Sequence, residues 1–216
     1  TWQYVTDIFP LFWATLFVYD GKLCAVGCSK EYGDMQVLTS DDSGTTWQGV
    51  ILAKCSFDTD MAGFHRCPDP VVEYDGRLWV AMEYGSWKCG EFCPSVWSIS
   101  VGDDILDVSK WQHTPNYKFD FTNDDTDAKW GGIEGNLVVA PDGKLLNILR
   151  HDKQDALVLE VDATNPTSEL KYVGKMPFDL CYTKFHIQHL NTVYCALGNP
   201  TPYRNELAVY LSDNCR

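Results

Sequence analysis

The sequence predicts an all-β protein, a β-propeller built from four-stranded antiparallel blades. Three observations predict it: a hairpin motif that recurs along the chain, a polar turn after each copy, and the lack of helical periodicity in any segment. The motif runs from Phe17 to Val26 around Asp20-Gly21, from Val72 to Ala81 around Asp75-Gly76, and from Val139 to Ile148 around Asp142-Gly143. A degenerate fourth copy spans Gln188 to Leu197. Asp-Gly between two apolar runs is a strong short hairpin signal, because tight turns need left-handed backbone that glycine adopts freely. Regular short strands also occur in β-sandwiches, but one such hairpin at the same place in every unit favours radial repetition.

The units follow in order within a single domain, 1–216, as blades spanning roughly 8–50, 64–112, 130–166 and 180–216. In the first, Ile8 to Tyr19 is the longest apolar stretch; Pro10 and Thr15 interrupt it, and it is short enough for a buried strand. The strand from Met35 then enters the polar hairpin Ser40-Asp41-Asp42-Ser43-Gly44-Thr45-Thr46-Trp47, expected to close on a buried tryptophan. Asp42 is placed to accept N–H bonds inside its own turn, and Gly44 to take a positive φ. The second unit has an inner strand over His65–Val72 and a closing turn with Asp103, Asp104 and Trp111. The third has Gly131–Val138 and Leu157–Asn165, and the fourth Cys181–Ile187 and Leu207–Arg216. In the last, Ser212-Asp213 opens another polar turn of the same kind.

Composition narrows the function. The formal net charge is −13, a field that repels nucleic acid and anionic membranes. No run of eighteen apolar residues exists to span a bilayer as a helix. Nine cysteines include the C-x3-C pairs Cys24/Cys28 and Cys89/Cys93, but no histidine stands beside either at zinc-ligand spacing. Cys24 and Cys195 occupy the same place in Leu-Cys-Ala-Val-Gly and Tyr-Cys-Ala-Leu-Gly, which suits a small buried apolar residue. The odd cysteine count favours a reducing cytoplasm over secretion. The chain opens at Thr1 without an apolar leader. Asn123-Asp124-Asp125-Thr126-Asp127 resembles a calcium loop in composition only and reads as a solvated loop, so neither metal nor cofactor is expected.

Chemistry in a propeller is expected on the innermost strand of each blade, the one before its Asp-Gly turn. Glu134 sits there among Gly131, Gly132 and Gly135, where a substrate can approach closely. Asp69 lies in Pro68-Asp69-Pro70 at the head of the second inner strand; Asp34 is the other candidate acid. Arg66 and Lys184 bring cations to the strand entrances, and Trp130 and Tyr203 offer rings for stacking on a sugar.

The hairpin Ser40–Trp47 reads S-x-D-x-G-x-T-W and resembles the Asp box, or BNR repeat, of the sialidase (neuraminidase) superfamily. Glu134, the Asp142-Gly143 turn and the returning Leu145-Leu-Asn-Ile-Leu-Arg150 resemble the family hairpin that carries a general-base glutamate and a substrate-clamping arginine. Leu197-Gly198-Asn199-Pro200 followed by Arg204 and Glu206–Asp213 is similar to the stretch that carries the last clamp arginine.

The resemblance implies a six-bladed propeller, of which four blades are visible, and an exo-glycoside hydrolase that releases sialic acid from glycoconjugates. Glu134 would be the base, Asp69 the acid/base, and Arg150 and Arg204 the clamp on the sugar carboxylate. Planar guanidinium groups suit that task through paired, charge-assisted bonds. Two family features have no match: Asp7-Ile8-Phe9-Pro10 stands where an arginine is expected, and the nucleophilic tyrosine would fall beyond Arg216. Two alternatives stay open. One is a two-carboxylate glycosidase using Asp69 and Glu134 on a neutral sugar; the other is a non-catalytic, glycan-binding propeller.

Overall fold

The computed structural model describes residues 1–56, 62–120, 130–151, 155–177, 179 and 183–214. Its strands form four antiparallel sheets, the blades of a β-propeller. The first blade is β1 (Phe12–Tyr19), β2 (Lys22–Cys28), β3 (Met35–Ser40) and β4 (Gln48–Ala53), hydrogen-bonded in that order. The second holds β5 (Gly63–His65), β6 (Val72–Tyr74), β7 (Arg77–Ser86), β8 (Glu91–Ser100) and β9 (Gln112–His113). The third is β10 (Ile133–Val139), β11 (Leu145–Arg150), β12 (Asp155–Val161) and β13 (Lys171–Pro177). The fourth has β14 (His186–Leu190), β15 (Val193–Gly198) and β16 (Ala208–Ser212). The innermost strands are β1, the β5/β6 pair, β10 and β14.

The repeated hairpins take the backbone their residues demand. Tyr19 pairs with Lys22, and Tyr74 with Arg77, across two-residue turns. Both central residues of each turn have positive φ: 49° and 71° at Asp20-Gly21, 48° and 71° at Asp75-Gly76. That geometry matches the twist of the flanking strands. The third hairpin is wider, with Gly143 N–H donating to Ala140 O at 2.9 Å, because Pro141 favours the first central position of a longer turn.

The turn after β3 also follows its chemistry. Asp42 accepts from the Thr46 N–H at 2.8 Å and from the Thr46 hydroxyl at 2.7 Å, and the Ser40 hydroxyl donates to it at 2.8 Å. Gly44 has φ 89°. Trp47 is half-buried rather than buried: its Nε1–H caps Gly44 O at 3.0 Å, which keeps one edge of the indole at the surface.

Apolar side chains gather between neighbouring blades. Cys24, Val26, Met35 and Val37 of the first blade meet Leu78, Val80, Met82 and Ile99 of the second. Trp79, Ala81 and Val96 of the second meet Leu137, Leu149 and Leu157 of the third, and Val138 and Ile148 meet Ile187 and Tyr194 of the fourth. Among the described residues no such cluster joins the fourth blade to the first. Leu16 and Val18 on β1, and Val209 and Leu211 on β16, are exposed. Cys24 is fully buried while its repeat equivalent Cys195 is half-buried, since β15 turns that face towards the uncovered side.

Candidate functional site

The second inner strand is broken. β5 and β6 both pair with β7, and Cys67-Pro68-Asp69-Pro70 bulges between them. Prolines lack the N–H a central ladder needs, so the two of them lift Asp69 out of the sheet. The Asp69 N–H turns back onto Cys67 O at 2.8 Å.

Arg66, 2% exposed, anchors this bulge. Its Nη1 donates to Trp13 O, Thr15 Oγ1 and Val26 O at 3.1, 2.8 and 3.0 Å, and its Nη2 to Asp69 O at 3.1 Å. Burial draws its pKa down and the Asp69 charge opposes that. The guanidinium thus ties the first blade to the second, with both Nη atoms engaged inside the protein.

The Asp69 carboxylate is almost wholly buried. Its Oδ1 faces Lys184 Nζ at 3.4 Å and His186 Nδ1 at 3.5 Å, both at the head of the fourth inner strand. Its Oδ2 is buried with no hydrogen-bond partner among the described residues. Burial acts to lower the Lys184 pKa, but Asp69 and then Cys67 outweigh it and the pKa is raised. Burial, reinforced by the negative charges of Asp69 and Glu134, pushes the Cys67 thiol far up. Asp69, Glu134 and Lys184, from three blades, all act electrostatically on this one buried thiol.

Glu134 occupies a distorted segment of β10. The register with β11 shifts between Ile133 and Asn136, and Glu134 itself has φ 57°, in the left-handed region that non-glycine residues avoid. Two buried side chains clamp the bulge. Glu83 Oε1 accepts from the Gly135 N–H at 3.0 Å, and Asn136 Nδ2 donates to Glu134 O at 3.1 Å. Asn136 also bridges to the fourth blade, donating to Phe185 O and accepting from the Ile187 N–H at 2.9 Å. Glu83 is 0% exposed, and its Oε2 lies 2.9 Å from His65 Nδ1. Asn147 fills the space beside Gly135, where a Cβ would collide with its amide.

Held in this way, Glu134 Oε2 pairs with Arg150 Nη1 at 2.9 Å, the two side chains 16% and 12% exposed. The Glu134–Arg150 hairpin thus brings its two charges into contact, as their placement on paired strands requires: Ile133 stands opposite Arg150.

The remaining candidates lie elsewhere. Arg204 is exposed, with φ 55°, in the turn whose N–H bonds Thr201 O at 3.3 Å. Tyr203 beside it is 84% exposed. Asp34 is a loop brace whose Oδ1 accepts from the Cys55 N–H at 2.8 Å. Trp130 is half-buried against Trp87, ring centroids 5.1 Å apart. Cys181, Tyr182 and the acidic stretch Asn123–Asp127 lie outside the described residues. Sequence reasoning missed Glu83 and Asn136. Their one local signal is a charge or amide inside an otherwise buried strand, where an unpaired polar group is costly.

The chain matches no protein-family model and no curated protein. Its fold does match solved structures. An exo-β-1,3-galactanase from Clostridium thermocellum superposes with a TM-score of 0.64 at 12% identity, over 97% of this chain and 47% of that one. A sialidase from Trypanosoma rangeli gives 0.59 at 15% identity, over 95% and 37%. A family 117 glycoside hydrolase from Zobellia galactanivorans gives 0.62 at 11%, over 94% and 66%. The chain spans about half or less of the first two. At these identities the likeness concerns the fold: this chain has the β-propeller architecture found in glycoside hydrolases of several families.

Proposed function

We propose that the chain is a glycoside hydrolase that releases a terminal acidic sugar, of the sialic acid class, from glycoconjugates. The observation that carries this reading is the Glu134–Arg150 pair, strained, clamped by buried side chains and with only a small part of each side chain open to solvent. Backbone strain of this kind persists only where surrounding structure over-determines it, and it clusters at functional sites. Glu134 would take the proton from the attacking group as general base. Arg150 and Lys184 would face the sugar carboxylate. Asp69, poised against Lys184 and His186, would exchange a proton with the leaving group. A fold match alone does not assign a function, so the weight rests on these side chains.

A second reading has its own support. Arg66 is committed inside the protein and Arg204 is exposed in a turn, which leaves Arg150 as the one arginine at the cluster among the described residues. Two carboxylates and few cations suit a neutral sugar cleaved by Asp69 and Glu134.

Fluorogenic glycosides separate the two. The account predicts turnover of an α-sialoside, and an Arg150→Ala variant with kcat/KM lower by about 10- to 100-fold, the loss of one charge-assisted contact. Turnover of neutral aryl glycosides alone would establish the second reading. No turnover of either class would overturn glycoside hydrolysis.

A further inference from the structure

A buried carboxylate cannot itself meet a substrate, and Asp69 is buried. Its side chain is 3% exposed, and Lys184 Nζ and His186 Nδ1 lie against its Oδ1 at 3.4 and 3.5 Å. A proton that Asp69 exchanges with a sugar has to pass through one of these neighbours. The fourth inner strand decides which.

Residues 184–187 alternate in burial. Phe185 is 1% exposed and Ile187 5%, both packed into the core between the third and fourth blades. Successive side chains of a strand point to opposite sides, so Lys184 and His186 point away from that core. Their side chains are 38% and 35% exposed. Asn136 locks this orientation, with Nδ2 donating to Phe185 O at 3.3 Å and Oδ1 accepting from the Ile187 N–H at 2.9 Å. The same Nδ2 donates to Glu134 O at 3.1 Å. One buried amide thus fixes the backbone on both sides of His186 together with that of Glu134.

Lys184 and His186 differ as proton donors. Asp69 and Cys67 raise the Lys184 pKa against the effect of burial, so its ammonium keeps its proton and acts as a fixed charge. An imidazole gains and loses its proton near neutral pH, which is what a general acid needs. His186 turns Nδ1 towards Asp69, and its Nε2 has no partner among the described residues. A partly exposed imidazole with a buried carboxylate behind one nitrogen has the other nitrogen oriented for chemistry.

We propose that His186 is the group that touches the leaving group, giving its Nε2 proton to the glycosidic oxygen, with Asp69 behind it as a positioning residue. The proton is transferred as the bond from that oxygen to the anomeric carbon breaks, and the leaving group departs as an alcohol. Water supplies the hydroxyl that ends on the anomeric carbon, its proton passes to Glu134, and exchange with solvent returns one proton to the imidazole. The role rests on the glycoside hydrolase reading, and its test separates the two.

The measurement is kcat/KM for para-nitrophenyl and methyl α-sialosides, or for the same pair of β-galactosides if only neutral sugars are cleaved. Thermal melts serve as fold controls. A nitrophenolate leaves without help, whereas an alkoxide needs a proton. His186→Ala should therefore lose about 10²- to 10⁴-fold on the methyl glycoside and about tenfold or less on the nitrophenyl one. Asp69→Asn should show the same skew, because it acts through the imidazole. If His186→Ala melts early, His186→Gln replaces it, keeping a polar group against Asp69 but none that can lose a proton. An equal loss on both glycosides, or no loss on either, would overturn the role of His186 while hydrolysis stands. A skew in the His186 variant with an even loss in Asp69→Asn would overturn the part given to Asp69. A wild type inert towards both sugar classes would overturn the hydrolase reading and this role with it.

Discussion

Two carboxylates with left-handed backbone at or near them serve different tasks in this molecule. Asp42 is fully exposed, yet the Thr46 N–H, then the Thr46 and Ser40 hydroxyls, lower its pKa to about 2. A folded pKa below the unfolded value means the turn's contribution is complete above about pH 4 and is lost as pH falls through about 2. Following the Asp42 carboxyl by NMR should give a midpoint near 2; a midpoint near 4 would show that the turn does not hold it. Glu134 was legible in the sequence through its glycines and its spacing from Arg150. What holds it was not. Glu83 reaches Gly135 across 52 residues, and that contact exists only once two blades are packed. Arg66 shows the same limit from the other side: a cation near a strand entrance looks available for substrate until the first blade supplies the carbonyls that occupy it.

At the level of elements, the hairpins were the most legible part of the fold, because an Asp-Gly turn is decided by the steric freedom of two adjacent residues. The break between β5 and β6 was harder to see, since Pro68 and Pro70 act by removing ladder donors that no local motif announces. β5 itself is short and depends on the neighbouring blade. Phe64 N–H donates to Gly33 O at 3.1 Å, and a Cβ on Gly63 would strike the Tyr32 carbonyl. Gly63→Ala should therefore destabilise the chain by about 1–3 kcal/mol, the usual cost of forcing atoms into packed space. Chemical denaturation measures it directly, and an unchanged midpoint would mean that the β2–β3 loop yields freely.

For the molecule as a whole, three apolar cores join four blades, and the outward faces of the first and fourth are left uncovered among the described residues. Leu211 is 68% exposed and Val209 60%, on a strand whose inward neighbours are apolar too. Contiguous apolar surface of this kind promotes association. Val209→Lys with Leu211→Lys should reduce self-association of the 216-residue chain in sedimentation experiments, and an unchanged distribution would place the sticky surface elsewhere. Blade packing also explains the site. Asp69, Glu134 and Lys184 belong to the second, third and fourth blades, and packing of those blades lets all three charges act on the Cys67 thiol.

The central claim is that Glu134, fixed by Glu83 and Asn136 at the head of β10, carries out proton transfer in glycoside cleavage. Its most direct measurement is the hydrolysis rate of a fluorogenic sialoside by wild type and by Glu134→Gln, a change that keeps the shape and removes the base. The account predicts a fall in kcat of about 10²- to 10⁴-fold with the thermal midpoint preserved. Equal rates in the two proteins would contradict it.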